Sequence, residues 1–329
     1  MLKSTKLIRR VIGSTTILMA LALAASCDAR ELPNGVKAPA NFEDAKIALR
    51  QFVYHDQNRS ERGTIYCGCQ WEWVGRSGGR IDLANCDYTI RSANQTHRAE
   101  RVEYEHIVPA SWMGSQLQCW QDGGRTNCRN DPVFNVLEAD MHNLTPSVGE
   151  VNADRSNYRF GMLPDEPYKH GQCDFKVNFS DRAAEPRDSA KGMIARVHFY
   201  IYDRYNLSMS DQQEQLFMAW HAQFPVSSWE MERDRRIASV MGHNNPFVTG
   251  ERIWTRNHQN SADGLVSWLP QSPSDNEATD KIIGNKNSNL YHLPVGCPGY
   301  SQVSERNRVY FESESDAIAA GYRKAGNCR

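Results

Sequence analysis

Apolar positions recur at helical spacing in four stretches of the chain. Residues 41–54 open with Asn41 as an N-cap and Glu43 and Asp44 in the first turn, then set Ile47, Leu49, Phe52 and Val53 on one side, which predicts a packing helix. Ser189 to Tyr205 carries Met193, Ile194, Val197, Tyr200 and Ile201; Ser210 to Phe224 opens with a Ser-x-x-Gln capping box; Ser227 to Met241 runs Trp229, Ile237, Val240. These predict three more helices, in whose apolar company His198 and His221 read as structural histidines. From Ile65 to Tyr88 the pattern shortens to runs such as Gln70-Trp-Glu-Trp73, broken by Gly75, Gly78 and Gly79, which is hairpin punctuation. Arg101 to Pro109 reads as a strand, Asn135 to Leu144 as a second strand, and Asn152 to Tyr158 as a helix starting near Asn152, a residue type favoured at helix starts. Thr255 to Thr279 is rich in Asn, Ser, Gln, Asp and Pro and predicts a polar linker, after which residues 280–329 form a small second module. The fold class expected is α+β.

The first 26 residues break this texture. Lys3, Lys6, Arg9 and Arg10 precede an uncharged apolar run from Val11 to Ala25, the plan of a secretory signal peptide and shorter than the ~20 residues a membrane span needs. The expectation is a periplasmic or secreted protein with no transmembrane segment in the mature chain. Ala24-Ala-Ser-Cys27 also fits an alternative in which Cys27 carries a lipid anchor. Without Cys27, eight of the nine cysteines remain, at 67, 69, 86, 119, 128, 173, 297 and 328, an even set that reads as disulfides in an exported chain. Cys119 with Cys128 would close a small loop around Arg125, and Cys297 with Cys328 would tie the two ends of the small module. Cys67-Gly-Cys69 lacks the matching pair that a zinc knuckle requires.

Composition, at 40% hydrophobic and 23% charged, is that of a soluble globular protein, and 329 residues suggest about two domains. Charge is balanced, with 38 basic against 39 acidic residues, and four of the basic ones leave with the signal. A nucleic-acid partner would therefore be met by cations concentrated locally, not by the global field.

Candidate chemistry gathers in Glu103-Tyr-Glu-His-Ile-Val-Pro-Ala-Ser-Trp-Met113 and in the polar run from Met141 to Arg155. Metal-assisted phosphodiester cleavage needs a hard oxygen ligand for Mg²⁺, a neutral imidazole to deprotonate water, and a cation for phosphate charge. Glu105, His106 and Arg125 supply these residue types, with Asn152 as a second oxygen donor. Glu103 and Glu138 are competing carboxylates; Asn143 and Asn157 are competing amides. Adjacent residues on a strand point to opposite faces, so Glu105 and His106 reach one mouth only if the strand twists as it ends before Pro109.

Glu105-His-Ile-Val-Pro-Ala, Cys119-Trp-Gln-Asp-Gly-Gly-Arg125-Thr-Asn-Cys128, Asp140-Met-His-Asn-Leu, Pro146-Ser-Val-Gly-Glu-Val-Asn152 and Ala195-Arg-Val-His-Phe-Tyr200 resemble the bacterial endonuclease I family of periplasmic and secreted nucleases, which have the ββα-metal (His-Me finger) active site. The resemblance runs from about Asn41 to about Phe247 and implies a nuclease domain over 41–254, followed by the linker at 255–279. It implies a monomeric endonuclease with little sequence specificity that acts on double- and single-stranded DNA, leaves 5′-phosphate and 3′-hydroxyl ends, and leaves activity on RNA open. By the same resemblance His106 is the general base, a backbone carbonyl at Glu138 fixes its second ring nitrogen, and Arg125 contacts the cleaved phosphate. Glu105 and Asn152 are the protein ligands of one Mg²⁺, for which Mn²⁺ or Ca²⁺ are candidate substitutes. Family members usually carry a further cysteine pair where Met231 and Arg252 stand here, and both are absent together.

Residues 283–300, 306–309 and 313–328 resemble the small Ada-type domain, named for a zinc-binding domain of alkylation-repair proteins. Its zinc site uses four cysteines and this module has two, so zinc would need help from His292, and a disulfide is the expectation. The alternative function is a non-catalytic exported nucleic-acid-binding or DNA-uptake protein on the same fold.

Overall fold

The computed structural model describes residues 38–115, 117–266, 281–294, 297, 299–300, 302–326 and 328. The expected signal peptide and Cys27 lie outside them, as do residues 267–279 of the expected linker and residue 280 of the expected module. The chain divides into two compact units, one ending at Ala262 and the other beginning at Asp263.

The first helix, Phe42–Ala48, is capped by Asn41, whose side chain accepts from the Asp44 N–H at 3.0 Å. It continues as a π-helical turn, Leu49–Val53, closed by Tyr54 N–H on the Leu49 carbonyl. The wider turn shifts the buried face: Ala45, Ala48, Leu49 and Val53 are buried, whereas Phe52, expected inside, is 42% exposed. The predicted hairpin is present as β1 (Trp71–Val74) against β2 (Gly78–Ile81), turning at Gly75 with φ +61°.

The element that organises the unit is β3 (Val102–His106) paired antiparallel with β4 (Leu144–Val148), running straight into a helix, Gly149–Arg155. Two expectations are corrected here. The segment read as a second strand, Asn135 to Leu144, is instead the second part of the helix Pro132–Ala139 followed by a 3-10 turn at Met141–Asn143; the strand begins only at Leu144. Asp131 caps that helix through the Phe134 N–H and Pro132 sits at its start, signals that outweigh the β-favouring Val133, Phe134 and Val136. Asn152 is not a helix cap either, because the helix begins three residues earlier at Gly149 and Asn152 lies inside it. A Cβ at Gly149 would sit 2.4 Å from the Arg98 carbonyl oxygen, so only glycine lets this helix start against the segment leading into β3.

Three strands, β5 (Arg159–Phe160), β6 (Lys176–Asn178) and β7 (Ala183–Glu185), form a small sheet in the order β5-β7-β6. The three predicted helices follow as Asp188–Arg204, Asp211–Gln223 and Ser228–Met241; Ser210 and Ser227 cap the last two. His198 is buried with Nδ1 on the Ile194 carbonyl at 2.8 Å, and His221 faces Arg196, the structural roles expected of both. Disulfides join Cys67 to Cys173, Cys69 to Cys86 and Cys119 to Cys128. Beyond the helices the chain lies on the same unit through Ala262: Trp254 stacks on Phe199 at 4.8 Å, and His258 and Ser261 bond the buried Asp203.

The second unit is a sheet in the order β10-β8-β9-β11, made of β8 (Ile282–Asn285), β9 (Leu290–His292), β10 (Arg308–Phe311) and β11 (Arg323–Lys324), with a helix Glu314–Ala319. Ile282, Tyr291 and Ala317 form its small core, and Cys297 is disulfide-bonded to Cys328.

Candidate active site

Alternation along β3 holds. Tyr104 joins the core cluster against the first helix, and His106 packs on Phe42 of that helix with ring centroids 4.8 Å apart. Glu103 and Glu105 face the other way, toward Asn152 and Arg155 of the helix that follows β4. All four residues nevertheless line one cleft of about 720 Å³, together with Phe42, Arg125 and Asn152.

Each of these groups is held by a different clamp. His106 places Nε2 2.9 Å from the Glu138 carbonyl oxygen. A carbonyl only accepts, so Nε2 carries the proton, and the lone pair of the neutral ring is on Nδ1, which has no hydrogen bond among the described residues. Burial pushes the His106 pKa below 6.5 and the nearby guanidinium charges add to this, while the Glu138 carbonyl pulls the other way. The ring is therefore neutral at neutral pH.

Glu105 is 2% exposed. Its Oε1 accepts from the Tyr66 hydroxyl at 2.7 Å and lies 3.0 Å from Arg155 Nη1; Oε2 has no bond among the described residues. Burial raises the Glu105 pKa, opposed by the Arg155 charge and the Tyr66 hydrogen bond. Arg155, 1% exposed, also donates to the backbone carbonyls of His106 and Ile107, so one side chain fixes both the carboxylate and the end of the strand bearing the imidazole.

Glu103 is bound to two arginines. Oε1 accepts from Arg98 Nε, Arg101 Nε and Arg101 Nη2 at 2.9, 3.0 and 2.6 Å; Oε2 accepts from Arg98 Nη2 and from Asn152 Nδ2, the latter at 2.8 Å. Burial would raise its pKa, but the arginine hydrogen bonds outweigh it and hold the carboxyl below the usual range. Arg125 lies in the loop closed by Cys119 and Cys128, lines the cleft and donates from Nε to Glu138 Oε1 at 2.6 Å, with no hydrogen bond from its Nη groups among the described residues. Glu138 thus serves twice, by its carbonyl on His106 and its carboxylate on Arg125.

Of the competing groups, Asn143 is fully buried and spent on the Val108 backbone, and Asn157 bonds Arg182. Sequence reasoning missed Tyr66, Arg98, Arg101, Arg155 and Phe42. Arg98 and Arg101 precede Glu103 closely enough to have been suspected as its partners; Tyr66 carries no local signal. Among the described residues no group of three or more His, Cys, Asp or Glu side chains is placed to hold a metal. Glu105 and Asn152, a carboxylate and an amide lining this cleft, are hard oxygen donors that could hold a divalent cation that keeps most of its waters.

The sequence model of the Endonuclease I family matches residues 41–251. The chain is 47% identical over 186 residues to an extracellular deoxyribonuclease of Aeromonas hydrophila, covering 56% of this chain and 81% of that protein. It is 44% identical over 191 residues to a periplasmic deoxyribonuclease of the same organism (58% and 79%), and 38% identical over 212 residues to Endonuclease-1 of Buchnera aphidicola subsp. Acyrthosiphon pisum (64% and 82%).

Proposed function

The chain belongs to the endonuclease I family, and from that premise we propose that it is an exported, metal-dependent endonuclease that hydrolyses DNA with little sequence specificity through His106, Glu105, Asn152 and Arg125. The observation that carries this reading is a neutral imidazole whose free nitrogen lines the same cleft as a clamped carboxylate, an amide and an arginine.

In this account Nδ1 of His106 takes the proton of the attacking water, while the Glu138 carbonyl holds the ring in the tautomer that leaves Nδ1 free. Arg125, aimed by Glu138 Oε1, binds the phosphate oxygens with its Nη donors. Glu105 and Asn152 would hold one Mg²⁺, which, when bound, supplies Lewis-acid stabilisation of the phosphate and the departing 3′ oxygen. Products then carry 5′-phosphate and 3′-hydroxyl ends. Mn²⁺ and Ca²⁺ are the substitutes to compare. The described cleft residues offer phosphate and metal contacts and nothing arranged to read base edges, which supports action on single- and double-stranded DNA and extends to RNA.

Three disulfides in the catalytic unit suit an oxidising compartment, in keeping with the extracellular and periplasmic relatives. No described helix is long and apolar enough to cross a membrane. We take the protein to act as a monomer, with residues 280–329 as a separate module. Conversion of supercoiled plasmid to nicked and linear forms with Mg²⁺, and none with EDTA, is the expected result. A folded protein that binds plasmid without cutting it under any of the three cations would instead favour the non-catalytic alternative.

A further inference from the structure

An amide has two unlike ends, and only one of them suits a cation. Asn152 sits inside its helix with a carboxylate, Glu103, 2.8 Å from one end of its side chain. An amide oxygen placed there would face an anionic oxygen, so the NH₂ must face Glu103 and the oxygen is the end left over. Glu103 cannot relax away from this contact. Five N–H groups converge on its two oxygens, four of them from Arg98 and Arg101, and Gly149 brings the helix close enough that an added Cβ would lie 3.0 Å from the Glu103 carboxyl.

The same saturation disqualifies Glu103 as a ligand. Its acceptor sites are filled, and two guanidinium groups beside it oppose a divalent cation. We propose that Glu103, locked by Arg98 and Arg101, is a positioning residue that orients the Asn152 amide so that its oxygen serves as the metal donor. The inference rests on the reading of Asn152 as a ligand. Outer partners that orient a ligand typically set metal affinity by roughly 10–100-fold.

The test is Mg²⁺ binding by titration calorimetry in the absence of DNA, on the full-length exported protein. Glu103→Gln and Asn152→Ala should each weaken binding by roughly 10–100-fold, and the double variant should bind no more weakly than Asn152→Ala alone. Asn152→Asp gives the sharper control, because a carboxylate has two equivalent ends and needs no orienting. In that background Glu103→Gln should cost nothing, and should tighten binding by removing the neighbouring anion. If the Gln variant does not fold, Glu103→Asp replaces it, with a smaller loss expected beside the native Asn152 and none in the Asn152→Asp background. Wild-type affinity in Glu103→Gln with a loss in Asn152→Ala would overturn the orienting role alone. An equal loss from Glu103→Gln with and without Asn152→Asp would also overturn it. Undiminished affinity in Asn152→Ala would remove the ligand reading and this inference with it.

Discussion

His106 and His142 are both desolvated, both have pKa values pushed down chiefly by burial, and both depend on the segment from Glu138 to Asn143. Their surroundings separate them. His106 spends one nitrogen on the Glu138 carbonyl and keeps the other toward a cleft. His142 is 1% exposed, with Nε2 on the His243 carbonyl at 3.1 Å, Nδ1 3.5 Å from Asp234, and its ring 4.8 Å from Tyr200. Beside it Asp140 is likewise enclosed, accepting from the hydroxyls of Tyr200 and Tyr205 at 2.7 Å. Carboxylates and imidazoles thus occur in two adjacent polar regions; each ring keeps one nitrogen without a hydrogen bond among the described residues, and only His106 has open space beside it in which to do chemistry. A shifted pKa alone would not have told them apart.

Substitutions at the two histidines should diverge. His106→Ala is expected to lower cleavage by roughly 10²–10⁴-fold, the usual contribution of a general base, with an unchanged melting temperature. His142→Ala should do the reverse, lowering the melting temperature by several degrees while the folded fraction still cuts, because it opens a cavity and unpairs buried polar groups. Near-wild-type turnover in His106→Ala would place the base elsewhere.

Arg125→Ala should cost roughly 10²–10³-fold in cleavage rate, comparable to loss of a donor to developing charge. Arg125→Lys should recover little of it, since a lysine cannot bond Glu138 and the phosphate with one planar fork. Full rescue by lysine would reduce Arg125 to a point charge.

The enclosed region makes a prediction about pH. His142 and His198 are held neutral in the fold, with pKa values pushed down to about 3 by burial, against 6.5 when solvated. Below pH 6.5 the unfolded chain takes up protons that the folded one refuses, so their contribution is complete above that pH and is lost progressively as pH falls toward 3. Chemical-denaturation midpoints measured from about pH 8 to about pH 4 should fall in that direction, and less steeply in His198→Phe. A flat profile would mean that these rings are not kept neutral.

The smallest effect is expected from the second unit. A chain ending at Ala262 should cut a short oligonucleotide at the full-length rate, because every cleft residue lies upstream. Ending it at Gly250 would strip Trp254 from Phe199 and His258 from Asp203 and should lower stability. Loss of oligonucleotide cleavage in the well-folded longer truncation would give the module a part in the site.

The helix Asp188–Arg204 was legible from apolar spacing alone and the two after it because capping serines and apolar spacing agree, and β3 because Glu103, Tyr104, Glu105 and His106 alternate between two environments. The Asn135 to Leu144 strand was misread because β-favouring side chains there are governed by a cap at Asp131 and by packing on the first helix. Of the residues that the resemblance pointed to, Glu105, His106, Arg125 and Asn152 line one cleft and Glu138 bonds His106 and Arg125 from outside its lining, but most of what holds them was invisible locally. Tyr66 reaches Glu105 across 39 positions and Arg155 reaches His106 across 49, and no periodicity encodes such contacts.

The central claim is that the imidazole is a base apart from the metal site. Mg²⁺ affinity and plasmid cleavage measured side by side in His106→Ala and Asn152→Ala test it most directly. His106→Ala should bind Mg²⁺ as the wild type does and fail to cut, whereas Asn152→Ala should be weakened in both. Loss of Mg²⁺ binding in a folded His106→Ala protein would contradict the assignment and make the imidazole part of the metal site.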